Sequence, residues 1–457
     1  MSQICLEPGA SIFRIFVKCA SIMRRIPETL LHGSLSLSDQ LLVSGATFAT
    51  TAMVARNCST SLLGEFILAW TIVSFVRTIQ ERLILAPFIA FRYRPGYDRK
   101  SFKASSIGHQ LIFAAVCCVL VGFVALCLWA IGAGSSVRGL AIGLVFTVPN
   151  ILVRDHLRGM SLAESEFAAT LLFDSVVVAL QLLLMVVLLQ TDTFTPTTAT
   201  LAMGAGCIPP VLTWYIWKFH VFDLSWNVFK RDWWSNWIYS RWLLVARLFG
   251  IAPYLGIPWV LASFIDREAT GIFGNCTSLV GISMTFVVGV NNMFQPKTVR
   301  SLHQGGIPAM LRCLGEACVV FLITLSLLST LFYFYGDYAL AMIYGDDFKN
   351  YGWLVFLLSV STLAVSFAIV IGNGLAAMGN SRDYFFGEFV GCVTAMSTAC
   401  LLIPKFGLWG AAVALIAGGI AASLSSAYSL VRNVISYCNE KNASTEQITM
   451  HLRSKGI

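Results

Sequence analysis

The chain holds 457 residues, 57% hydrophobic and only 12% charged, with a formal net charge of +8 and a mean hydropathy of +0.76. Soluble domains carry about 25% charged residues, so this chain lacks the polar surface that solvation by water requires. Its positive charge is dispersed among short loops, which argues against a nucleic-acid partner.

Residues 1–38 read as a cytoplasmic N-terminal segment. Within it Arg14, Lys18, Ser21 and Arg25 recur at helical spacing, with Ile12, Phe13, Phe16 and Met23 elsewhere on the wheel. That pattern predicts a short interfacial helix, which translation from Met23 in place of Met1 would omit. A spanning helix needs ~20 mostly apolar residues. Six such spans follow, near 39–56, 62–91, 105–131, 139–160, 166–190 and 196–219. The interval 220–239 then carries Trp226, Trp233, Trp234 and Trp237 beside Lys230 and Arg231, the composition of an amphipathic interfacial linker. Six more spans lie near 240–263, 269–296, 307–335, 351–378, 383–404 and 406–434, before a cytoplasmic tail at 435–457. The ~10-residue alternation of a membrane barrel is absent. The expected fold is an all-α integral membrane protein, about twelve transmembrane helices in two six-helix lobes, 39–219 and 240–434.

With the N-terminus inside, 23 of the 31 lysines and arginines fall on the cytoplasmic side and five on the other, leaving Arg77, Arg82 and Arg247 within spans. Such a bias over short loops places both termini in the cytoplasm. The halves echo each other. Gly64-Glu65-Phe66 and Gly271-Ile272-Phe273 each open a second span, and Leu157, Met160 and Phe167 recur 218 positions later as Leu375, Met378 and Phe385. Six spans per repeat put the substrate between the lobes at the bilayer midplane.

Four stretches carry a family resemblance. They are Ser38-Asp39-Gln40 through Leu63-Gly64-Glu65-Phe66; Tyr344-Gly345-Asp346-Asp347-Phe348; Asn373-Gly374-Leu375 with Ala377 and Gly379-Asn380; and Pro404-Lys405-Phe406-Gly407-Leu408-Trp409-Gly410-Ala411-Ala412. In this order they resemble the polysaccharide/O-antigen (lipopolysaccharide) lipid-linked oligosaccharide flippases of the MATE-like (multidrug/oligosaccharidyl-lipid/polysaccharide) superfamily. The resemblance implies two lobes in a V that alternate access. It also implies export of a polyprenyl-diphosphate-linked saccharide across a bacterial inner (plasma) membrane for polysaccharide biosynthesis.

An ionisable side chain at the bilayer centre costs on the order of 2.5–3.5 kcal/mol, so each calls for a reason. Arg77 has two readings: an intrahelical pair with Glu81, or a diphosphate contact at the lobe interface, for which a guanidinium fork is suited. Arg247 in the facing lobe would supply a second phosphate contact, with Arg82 and Arg56 as weaker candidates. Gln40, Ser44, Thr47 and Thr51 form a polar stripe on the first span that suits either sugar hydroxyls or helix–helix hydrogen bonds. Asp174 and Glu388 are the candidates for proton or sodium coupling, against a structural or solvated reading of each. Glu65 is expected to cap the second span. Prolines 209, 210, 253 and 258 predict kinks.

No Walker loop is present, and the six histidines stand apart from cysteines and carboxylates, so the reading is a transporter and not an enzyme, with no cofactor and no metal. The thirteen cysteines sit mostly in apolar runs without CxxC pairs, as small hydrophobes. The expected partners are membrane lipids and the lipid-linked cargo, the expected state a monomer. Two alternatives stay open: a cation-coupled exporter of drugs or organic cations on the same fold, and a membrane-embedded glycosyltransferase, against which the short outer loops speak.

Overall fold

The computed structural model describes residues 28–91, 98–218 and 226–454. The interfacial helix expected around Arg14 and Lys18 lies outside them. The described helices are α1 (Glu28–Asn57), α2 (Thr60–Gln80), α3 (Arg99–Ala130), α4 (Ser135–Ala163), α5 (Phe167–Gln190) and α6 (Pro196–Lys218). Then come α7 (Trp226–Phe264), α8 (Arg267–Tyr344), α9 (Gly352–Ala377), α10 (Ser381–Phe406) and α11 (Leu408–Ser454). After Gln80, α2 runs on through a π-helical turn, Glu81–Leu85, into Ala86–Phe91.

Ten of these helices are long and apolar enough to cross a membrane. With 78 residues, α8 is over twice the length a bilayer needs, and it breaks at Gly306, whose φ of 68° and ψ of −163° no helix admits. Its limbs are the predicted eighth and ninth spans. Adding the more polar α1 completes twelve crossings in two lobes, an all-α fold with no strand among the described residues. The side on which α1 begins is the proximal face below, and the opposite side the distal face.

Local chemistry sets the helix ends. Ser59, Asp98 and Asp266 accept from the amides of Leu62, Ser101 and Ala269, at 3.4, 2.9 and 2.6 Å. Glu65 is therefore not the cap of α2. It lies past the first turn and reaches sideways to Ser136 and Arg267 instead. The Pro404–Ala412 stretch is the tight turn between α10 and α11, and Gly407 at φ 56° makes it.

Helices α1 to α6 pack on one another, as do α7 to α11, and the lobes meet where α8 lies along α1 and α2 and where α7 lies along α2. A continuous apolar layer joins the distal halves, including Leu63 and Phe66 of α2, Leu261 of α7 and Phe273 of α8. In the interval 220–239, residues from Trp226 onward are the opening turns of α7, and these turns are inside out. Asp232, Asn236 and Ser240, one stripe at spacings of four, are buried, while Trp226, Trp233, Trp234, Trp237 and Trp242 are exposed. The stripe packs on α3: the Ser105 hydroxyl faces the Asp232 carboxylate, and His109 Nε2 lies 3.1 Å from the Phe229 carbonyl oxygen. Outward, Lys230 sits 5.1 Å over the Trp226 ring. Aromatic and basic groups thus face out, as they do at a membrane interface.

Candidate functional site

Six charged side chains from four helices form one chain in the proximal third of the first lobe. Arg158 donates to Asp39 at 2.5 Å and to Asp174 at 2.6 Å; Arg154 donates to Asp174 at 2.5 Å and to Asp155 at 2.9 Å; Asp155 then meets Arg77. Each of α1, α2 and α5 contributes one group, and α4 three. At 1.5 Å per residue every member lies roughly 24–35 Å from its helix's distal end. Three arginines against three aspartates leave no net charge, which is how ions persist where desolvation costs several kcal/mol each.

The chain has a direction. In each cross-helix pair the arginine is the more exposed partner: 36% against 13% for Arg77–Asp155, 9% against 0% for Arg154–Asp174, and 19% against 1% for Arg158–Asp39. Asp39 and Asp174 form the back of the network, and the edges of Arg77 and Arg158, with Asp155 between them, its front. That front borders a cavity of about 560 Å³ lined by Arg77, Arg158, Asp155 and Glu81, with Leu85, Leu162 and Ile251 as apolar wall. Ile251 belongs to α7, so both lobes line it. A second cavity of about 40 Å³, room for about two or three waters, touches Arg77 and Arg154 together with Thr47 and Gln181. Gln181 in turn donates to Thr50 at 2.8 Å.

The other sequence candidates scatter. Arg77 pairs with Asp155 and not with Glu81, because a more buried carboxylate faces it across the α2–α4 contact; Glu81 pairs at 3.2 Å with Arg82. Arg82 sits on the π-helical turn, outside the cavity lining, and acts electrostatically on Tyr384 of the second lobe. Arg247, exposed on α7, also lies away from the cavity. It neighbours Glu388, whose carboxylate takes a hydrogen bond from Tyr384. Arg56 is at the distal end, donating to the carbonyls of Ile343, at 2.7 Å, and Met342. The stripe of α1 divides: Gln40 accepts from Arg158 at 3.4 Å, Ser44 accepts from Thr285 of α8 at 3.4 Å, and Thr47 and Thr51 bond back to their own helix.

Sequence reasoning missed Asp39, Asp155, Arg154 and Arg158 as site residues. The two arginines of α4 entered only the count of cytoplasmic charge. Their signal was the run Arg154-Asp155-x-x-Arg158 inside an apolar span, which places arginines at i and i+4 on one face.

No protein-family model and no curated protein matches the chain. Solved structures do. An inward-facing multidrug-resistance MATE-family transporter of the MOP superfamily superposes with a TM-score of 0.64 at 14% identity, covering 88% of this chain and 95% of that one. The fold is that of MATE transporters. An outward-facing structure of such a transporter matches at 0.63 and 13%, covering 90% and 95%. A MOP-superfamily transporter from Pyrococcus furiosus, described as having a binding pocket of reverse polarity that suggests a different function, matches at 0.63 and 13%, covering 88% and 94%.

Proposed function

We propose that this chain is an alternating-access transporter that flips a polyprenyl-diphosphate-linked saccharide across the bacterial inner membrane. The observation that carries the reading is the direction of the charge network. Arg77 and Arg158 present guanidinium edges to the inter-lobe cavity while Asp39 and Asp174 lie buried behind them; those two forks can take an anion, with Asp155 and Glu81 on the same lining. The apolar side of the cavity, with Leu85, Leu162 and Ile251, suits the lipid. In this reading Arg77 is the first phosphate contact, Arg158 is drawn from Asp39 as cargo enters, and Arg247, outside the cavity in this state but one turn from Ile251 on α7, is the contact the second lobe brings in as the lobes move. Gln40 and Ser44 serve the sugar hydroxyls. Asp174 and Asp39, which meet around Arg158, hold the coupling proton or sodium ion, with Glu388 its counterpart. The proximal face is cytoplasmic, the lobes are 39–219 and 240–434 joined by 220–239, and a monomer suffices because one chain supplies both walls.

The test is the pool of polyprenyl-diphosphate saccharides in cells depleted of the protein. A completed saccharide accumulating on the cytoplasmic leaflet, reversed by the intact gene and not by R77A or R247A at matched expression, is the expected result. Full export by both variants sinks the cationic-wall reading. No accumulation, with altered tolerance to cationic dyes, assigns the exporter function instead.

A further inference from the structure

The two segments that echo each other in sequence, Gly64-Glu65-Phe66 and Gly271-Ile272-Phe273, meet in space. They lie in the second turns of α2 and α8, and they cross at the distal face with nothing but backbone between them. A Cβ built on Gly64 would stand 1.8 Å from the Arg267 carbonyl oxygen, and one on Gly271 would stand 2.4 Å from that of Thr60. Both obstacles are main chain of the opposite lobe, so no rotamer change relieves either.

Side chains hold the crossing from both flanks. Glu65, buried, takes the Ser136 hydroxyl of its own lobe and the Arg267 guanidinium of the other. Arg56, at the end of α1, grips the last carbonyls of α8. Below the crossing lie buried Leu63, Phe66, Ile272 and Phe273, packed in one apolar cluster. At the proximal end the 560 Å³ cavity lies against α2 and α4 of the first lobe, with Ile251 of α7 on its wall.

We propose that the reciprocal Gly64/Gly271 crossing is the distal gate, and that Glu65–Arg267 is the latch holding it shut. This inference rests on the alternating-access reading but needs no particular cargo. A side chain at either glycine prevents the lobes from closing distally and shifts the population toward the distal-open state. Overpacking of a tight contact disfavours a state on the order of 10–100-fold. Loss of the latch alone moves the balance the same way by less.

The experiment is hydrogen–deuterium exchange on the purified full chain in lipid nanodiscs, for wild type, G64V, G271V, E65Q and the control G281A. Gly281, also on α8, has open space around its Cβ position. Expected are faster exchange in 60–66 and 267–273 and slower exchange in 80–91 and 247–255 for both valine variants, a smaller shift for E65Q, and none for G281A. Unchanged distal exchange in folded valine variants overturns the gate and leaves the cargo assignment untouched. If the valine variants exchange quickly along the whole chain, E65Q decides: acceleration confined to the distal segments supports the gate, and none overturns it. Saccharide accumulation in depleted cells, tested separately, reports on the cargo alone.

Discussion

Truncating Arg77 and truncating Arg154 should have opposite signatures, although the two sit one aspartate apart in the same network. Arg154 is 9% exposed and bonded to two carboxylates, one of them fully buried Asp174. R154A leaves Asp174 held by Arg158 alone; removing one partner of a buried pair costs about 3–5 kcal/mol. Arg77 is 36% exposed, pairs with one carboxylate, and leaves Asp155 still bonded to Arg154. Solvent screening discounts that pair to roughly 1 kcal/mol or less. At about 2–4 °C per kcal/mol for a unit of lobe size, R154A should lower the unfolding midpoint by roughly 6–20 °C and R77A by no more than about 4 °C. Thermal unfolding of purified protein reads the first quantity, and complementation at matched membrane abundance reads the second. R77A should abolish transport in a native-like fold, whereas R154A should lose abundance first. A double variant, R154M/D174L, should regain most of the stability, since apolar residues replace a buried pair at little cost. Equal midpoint losses for R77A and R154A, or transport retained by R77A, would refute the division of the network into a structural centre and a cargo-facing end.

Three further outcomes are expected. Q181L removes the 2.8 Å bond to buried Thr50 and should cost about 1 kcal/mol, seen as a midpoint drop of a few degrees. E388Q should flatten the dependence of transport on proton or sodium gradient while leaving the midpoint near wild type, because the Tyr384 hydroxyl keeps an acceptor; an unaltered ion dependence removes Glu388 from coupling. A reporter that fluoresces only in the cytoplasm should be bright when fused after Ile457, and an enzyme active only in the periplasm should work when inserted at Ala133, in the distal turn after α3; the reverse pattern inverts the orientation.

The spans were legible because apolar length is a property of consecutive residues. Even the break in α8 was visible, as the polar interval between 296 and 307 that holds Gly305 and Gly306. The pairing of Arg77 was not, because helical spacing offers Glu81 as a partner while Asp155, 78 positions on, appears in no local pattern. The α7 opening was half legible: tryptophans and cations marked an interfacial segment, but only packing on α3 shows that the stripe Asp232, Asn236, Ser240 is the buried side.

Composition and spacing by themselves determined an all-helical membrane chain, its crossings and its internal echo, since each depends on the transfer of one segment between water and lipid. Tertiary structure alone decided which charges neutralise one another, which edge of that network meets the cavity, and that the echoing glycines touch. Those outcomes depend on distances between residues remote in sequence, where an ion pair or a backbone crossing changes by several kcal/mol over an ångström or two.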